Sequence, residues 1–137
     1  MSGCLFCQIA EGALGASIVA EDTGWLAFLD KSPVFLGHVL LIPRSHRETL
    51  LDLPDLEIPT LFAASKRIAR AVVSGLGCQG TFVAMNNRVS QSVPHLHVHV
   101  VPRTKGDGLR GFFWPRRKYA SPEEMESYRA RIEAAFV

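Results

Sequence analysis

The chain has 137 residues, 47% of them apolar and 20% charged, with a formal net charge of +2. That length fits one domain able to build a core without disulfide support, and so small a charge is too weak to argue for nucleic acid or an anionic membrane, neither of which is expected as a partner. No apolar run approaches the roughly 20 residues that cross a bilayer. Met1-Ser2-Gly3-Cys4 does not begin a secretory signal, and three cysteines, an odd number, suit a reducing compartment. The expected setting is cytoplasmic.

Beyond a Cys4–Cys7 segment, Ile18-Val19-Ala20 and Trp25 to Leu29 read as strands. Glu21-Asp22-Thr23-Gly24 between them carries turn residues, which predicts a hairpin. A third strand, His38 to Ile42, follows Gly37 and stops at Pro43; its unbroken apolar run predicts burial on both faces. From about Asp55 to Ser74 the period becomes helical. Leu61, Ile68, Val72 and Leu76 form one face, Lys66, Arg67, Arg70 and Ser74 the other, and Gly75 and Gly77 end it.

Thr81 to Met85 and then His95 to Val101 read as two more strands, joined by a loop from Asn86 to Pro94. A Gly-rich, basic and aromatic stretch from Lys105 to Tyr119 follows, read as a lid or subunit contact. The last helix has Ser121 as N-cap, Pro122 at its first position and Glu124 completing a capping box, with Met125, Tyr128, Ile132 and Phe136 as its apolar stripe. The order predicts an α+β domain over 1–137: about five mainly antiparallel strands, one long central helix and a C-terminal helix, with 105–137 a variable lid or helix.

The run His95-Leu96-His97-Val98-His99-Val100-Val101 stands out. Residues two apart on a strand share a face, so Leu96, Val98 and Val100 enter a core while His95, His97 and His99 line the other side. A polar strand face, a catalytic zinc site and a nucleophilic imidazole with supporting histidines all fit this spacing. A metal hydrolase usually adds carboxylates, and none occurs between Glu57 and Asp107. The loop Asn86-Asn87-Arg88-Val89-Ser90-Gln91-Ser92 is instead dense in donors of the kind that stabilise charge on phosphoryl oxygens. Chemistry favours the nucleophile.

Cys4-Leu5-Phe6-Cys7 is a lone CxxC. A redox pair, two small packed residues and half of a tetrahedral metal site all remain open.

Together, Gln91-Ser92-Val93-Pro94 and the triple-histidine run resemble the signature of the histidine triad (HIT) superfamily of nucleotidyl hydrolases and transferases. Phe28-Leu29-Asp30, Gly37 to Pro43 and Ser45-His46 extend the resemblance upstream. It implies that His97 is the nucleophile toward the α-phosphorus of a nucleotide conjugate, with His99 and His38 supporting it and Gln91 and Ser92 at phosphate oxygens or the leaving group. It places Asp30 on the ribose hydroxyls, Phe28 and Leu29 at the base, and Asn86 or Asn87 at a further nucleotide contact. Similarity to a zinc-containing, bacterial-type branch implies one structural zinc on Cys4, Cys7, His46 and His95. The implied partners are a purine nucleotide and a second copy of the chain. A phosphorolytic or nucleotidyl transferase, or a zinc-stabilised nucleotide-binding module, stays open beside the hydrolase.

Overall fold

The computed structural model describes residues 3–110 and 115–137. Residues 111–114 of the aromatic and basic stretch lie outside these. The chain divides into two compact units, Met1–Lys105 and Gly106–Val137.

The first unit is a five-stranded antiparallel sheet with two helices. Its elements are α1 (Leu5–Ala10), β1 (Ile18–Glu21), β2 (Trp25–Leu29), β3 (Val39–Pro43), α2 (Ile58–Leu76), β4 (Gly80–Ala84) and β5 (Val98–Arg103), in the sheet order β1-β2-β3-β5-β4. Two 3-10 turns, Leu50–Asp52 and Asp55–Glu57, precede α2. No helix among the described residues is long and apolar enough to cross a membrane.

Strand alternation builds two cores. Trp25 and Ala27 of β2, Val39 and Leu41 of β3, and Leu96, Val98 and Val100 pack with Leu61, Ala64, Ile68 and Val72 of α2. Leu26, Phe28, Leu40 and Ile42 face the opposite side, where Phe6 and Ile9 of α1 cover them. Strands β2 and β3 are therefore apolar on both faces, as the unbroken run of β3 predicts. The helix α1 is not expected from the sequence. Its N-cap is a cysteine, with Cys4 Sγ accepting from the Cys7 amide at 3.4 Å, where Ser, Thr, Asp or Asn is the usual signal.

Three further expectations need adjusting. The α-helix begins at Ile58 and runs through Gly75, ending at Gly77 in the left-handed conformation (φ 68°). Leu76, assigned to the buried face, is 55% exposed. It lies over Gly37 (φ 96°), where any Cβ would run into the Leu76 side chain. The histidine strand starts at Val98 rather than His95, because its pairing with β3 ends at Leu41↔Val98. Upstream of that point the Leu96 amide turns to Arg47 O, at 2.6 Å.

In the second unit α3 spans Pro122–Ala135, with Ser121 Oγ accepting from the Glu124 amide. The Glu124 carboxylate receives the Ala120 amide at 2.8 Å, one residue before the N-cap. None of the residues of α3 is buried, so the Met125, Tyr128 and Ile132 stripe forms no core there.

Candidate active site and metal cluster

His95, His97 and His99 share the sheet face covered by α1. Phe6 sets its ring edge-on against His97, with centroids 5.1 Å apart, and against His95 and Phe28 at 6.0 and 5.4 Å. An aromatic wall of this kind holds an imidazole in one orientation without competing for its nitrogens.

Backbone carbonyls assign two of the rings their tautomers. His97 Nδ1 lies 2.7 Å from His95 O, and a carbonyl can only accept, so Nδ1 carries the proton and Nε2 the lone pair. His95 Nε2 lies 2.8 Å from Pro43 O. That contact places its proton on Nε2 and turns the Nδ1 lone pair toward the cysteines.

On that side Cys4 Sγ and Cys7 Sγ stand 3.4 and 3.5 Å from His95 Nδ1, and Cys7 Sγ stands 3.3 Å from His46 Nδ1. All four ligand atoms lie within 4.8 Å of one another. A tetrahedral zinc with bonds near 2.3 Å to sulfur and 2.0–2.1 Å to nitrogen has S···N edges of about 3.5 Å. Two soft thiols and two imidazole lone pairs at these separations fit that group: Cys4, Cys7, His46 and His95 could hold a metal. Burial, reinforced by Cys4, raises the Cys7 thiol, while burial lowers the His95 imidazole.

The other two histidines form a second pair. His38 Nε2 meets His99 Nδ1 at 2.9 Å, and the Val34 amide donates to His38 Nδ1 at 3.1 Å. The Asp30 carboxylate is 3.7 Å from the same Nδ1. Burial pushes His38 below its usual value; burial first, then His97 and His38, push His99 down to about 4.

A cavity of about 610 Å³ opens over this face. Phe28, Leu29, Asp30, Ser92, His97 and His99, six of the residues assigned to nucleotide or chemistry, line it. The remaining assigned residues sit elsewhere. Gln91 spends its carboxamide between loops, donating to Glu48 O at 2.6 Å and accepting from the Arg88 amide at 2.9 Å. Asn87 Oδ1 receives the Leu50 amide at 2.8 Å, and Asn86 is exposed. Arg88 and Ser90 both take positive φ, 71° and 61°, so this short connection is tightly wound. Sequence reading passed over Leu5, Phe6, Ile9 and Leu14, which complete the apolar wall. The apolar residues at 5, 6 and 9, spaced at helical intervals after Cys4, were the available signal.

A model of the HIT domain matches residues 11–106. The chain belongs to the HIT family. A HIT-family structure from Bacillus subtilis superposes with a TM-score of 0.87 at 34% identity, covering 98% of each chain. A zinc-bound histidine triad protein from Mycobacterium smegmatis gives 0.75 at 35% identity, covering 98% of this chain and 99% of its own. Adenosine 5'-monophosphoramidase hnt1 of Schizosaccharomyces pombe is 32% identical over 133 residues, 96% of each chain. The five-stranded antiparallel sheet, central helix and C-terminal helix match the HIT fold.

Proposed function

We propose that this HIT-family chain is a nucleotidyl hydrolase. It releases a nucleoside 5′-monophosphate, AMP by preference, from a phosphoramidate, acyl-nucleotide or dinucleoside polyphosphate. One observation carries the reading: His97 lines the cavity with its Nδ1 proton committed to His95 O, which leaves the Nε2 lone pair for attack. The relationship to a monophosphoramidase points to the P–N bond within that set.

In this reading His97 Nε2 forms a bond to the α-phosphorus while the bond to the leaving group breaks, the departing atom keeping the electron pair. Water then displaces the imidazole. Splitting one displacement into two lets a neutral nucleophile act first. Ser92 and His99, on the same cavity wall, would donate to phosphoryl oxygens or the leaving group. Asp30 would accept the paired ribose hydroxyls, with the base against Phe28, Leu29 and the α1 wall. Gln91 would act by holding the 86–92 loop to Glu48.

The four-ligand cluster we assign to one structural zinc, whose role is to fix the first turn of α1 to the strand that carries the nucleophile. We further propose a homodimer that works in the cytoplasm. The test of the reaction is covalent trapping. A slowly turned-over nucleotide should add one nucleotidyl group per chain, mapped by peptide mass to His97, and labelling at any other residue refutes the mechanism.

A further inference from the structure

Cys4 and Cys7 occupy the N-cap and the third position of α1. Cα atoms three residues apart in one helical turn lie about 5 Å from each other, inside the span of roughly 4.4–6.8 Å that a disulfide bridges. The two sulfurs already converge. Cys4 Sγ folds back to accept from the Cys7 amide at 3.4 Å, and the two sulfurs stand 3.4 and 3.5 Å from His95 Nδ1. Both thiols are free, so closing a bond between them needs only side-chain rotation. The third cysteine is placed elsewhere. Cys78 donates to Val72 O and Gly80 O at 3.7 and 3.4 Å and packs against the core on the other face of the sheet.

The same turn carries part of the cavity wall. Phe6 lies between the cysteines with its ring edge-on to His97, and Leu5, Phe6 and Ile9 line the cavity. A helix of six residues has little stability of its own. At its start α1 is fastened by the cluster with His46 and His95, and at its end by Arg44 Nη1, which donates to Ala10 O at 3.0 Å.

We propose that Cys4 and Cys7 form a redox-modification site: a peroxide converts the pair to a disulfide, the metal is lost and the α1 wall of the cavity loosens. The device rests on the structural-zinc reading of the cluster. One sulfur attacks the peroxide O–O bond, takes one oxygen as a sulfenic acid and releases hydroxide. The second sulfur displaces that oxygen as hydroxide, leaving the Cys4 Sγ–Cys7 Sγ bond. Two electrons pass from the sulfurs to the peroxide oxygens, and each hydroxide takes a proton to become water. His46 and His95 are then the donors left in the cluster, too few for a tetrahedral zinc. Both cysteines are buried, 8% and 3% exposed, which selects a small peroxide over a bulky disulfide as the oxidant.

The test treats reduced, zinc-loaded, full-length protein with about one equivalent of hydrogen peroxide. A chromogenic zinc chelator, peptide mass and hydrogen exchange follow the result. Expected are release of about one zinc per chain, a Cys4–Cys7 peptide lighter by two hydrogens, and exchange of the α1 amides faster by on the order of 10-fold. The Kd for AMP should rise about 5- to 150-fold, the usual range for coupling between two sites. Dithiothreitol with added zinc should reverse each change. Cys78→Ser should respond as the wild type does, and Cys7→Ser should show the fast α1 exchange without peroxide.

Zinc retained after peroxide, a disulfide that uses Cys78, a change that dithiothreitol and zinc do not reverse, or a Cys4–Cys7 disulfide with unchanged α1 exchange overturns the proposal. Reduced protein without zinc overturns it together with the zinc assignment. Should Cys7→Ser not fold, the wild-type and Cys78→Ser measurements decide it. Reduced protein that fails to bind AMP removes the nucleotide reading alone, and zinc release with α1 exchange then decides the redox site.

Discussion

The carbonyl oxygen of His95 and Nδ1 of His97 are joined by a 2.7 Å hydrogen bond. The same His95 turns its ring Nδ1 to Cys4 and Cys7 at 3.4 and 3.5 Å. One residue thus belongs to both clusters: its side chain to the cysteine and histidine group, its main chain to His97.

Metal analysis of the purified protein should return about one zinc per chain. Removing it with a chelator should lower the thermal midpoint, because ligand binding confined to the folded state adds directly to stability. Cys7→Ser should lose the metal and reproduce the chelated midpoint. Calorimetry with and without chelator reads both outcomes, and a metal-free protein of unchanged midpoint would remove the zinc.

Replacing His97 by Ala deletes the atom proposed to attack phosphorus and should leave the sheet intact. Turnover of adenosine phosphoramidate should fall by at least about 1,000-fold, and no nucleotidyl-protein should form. AMP affinity, measured by titration calorimetry, should change far less. Retained turnover would mean that another group attacks phosphorus.

Asp30→Ala should weaken AMP binding about 10- to 100-fold, the range for losing a hydrogen bond to a charged group. The chemical step on substrates lacking ribose contacts should be nearly unaffected. Kd and kcat measured separately distinguish this from a general disturbance of the loop.

Phe6 is 5% exposed and touches His95, His97 and Phe28. Phe6→Ala should cost roughly 3–5 kcal/mol of unfolding free energy, the usual range for a buried phenylalanine, as read by urea denaturation.

Stability should fall in acid partly through His99. Its folded value lies near 4, below the ordinary 6.5, because burial and the neighbouring histidines disfavour the charged ring. Between those two values the unfolded chain binds more protons than the folded one. The contribution is therefore full above pH 6.5 and is lost as pH drops toward 4. Urea unfolding at several pH values should give a steeper slope for the wild type than for His99→Gln, which has nothing to titrate there.

Much of this molecule is written locally. The alternation of His95, His97 and His99 with Leu96, Val98 and Val100 assigns each set to a face, because side-chain direction along an extended chain depends only on position parity. The doubly apolar β2 and β3, the α2 stripe and the Ser121 cap are local in the same sense. The six-residue α1 was not legible: it is held by packing against Phe28 and by Cys4 at its start, and a helix that short has little stability of its own.

What tertiary structure alone decided is which groups meet. Cys4 and His95 are 91 residues apart in the chain, and His38 and His99 are 61 apart. No spacing rule states the contacts that bring these side chains into a cluster that could hold a metal and into a hydrogen-bonded pair. It also decided that the carboxamides of Gln91 and Asn87 brace loops instead of lining the cavity. The Val34 N–H that donates to His38 Nδ1 is the furthest from sequence. Every residue except proline carries that group, so its effect arises only where the fold aims it.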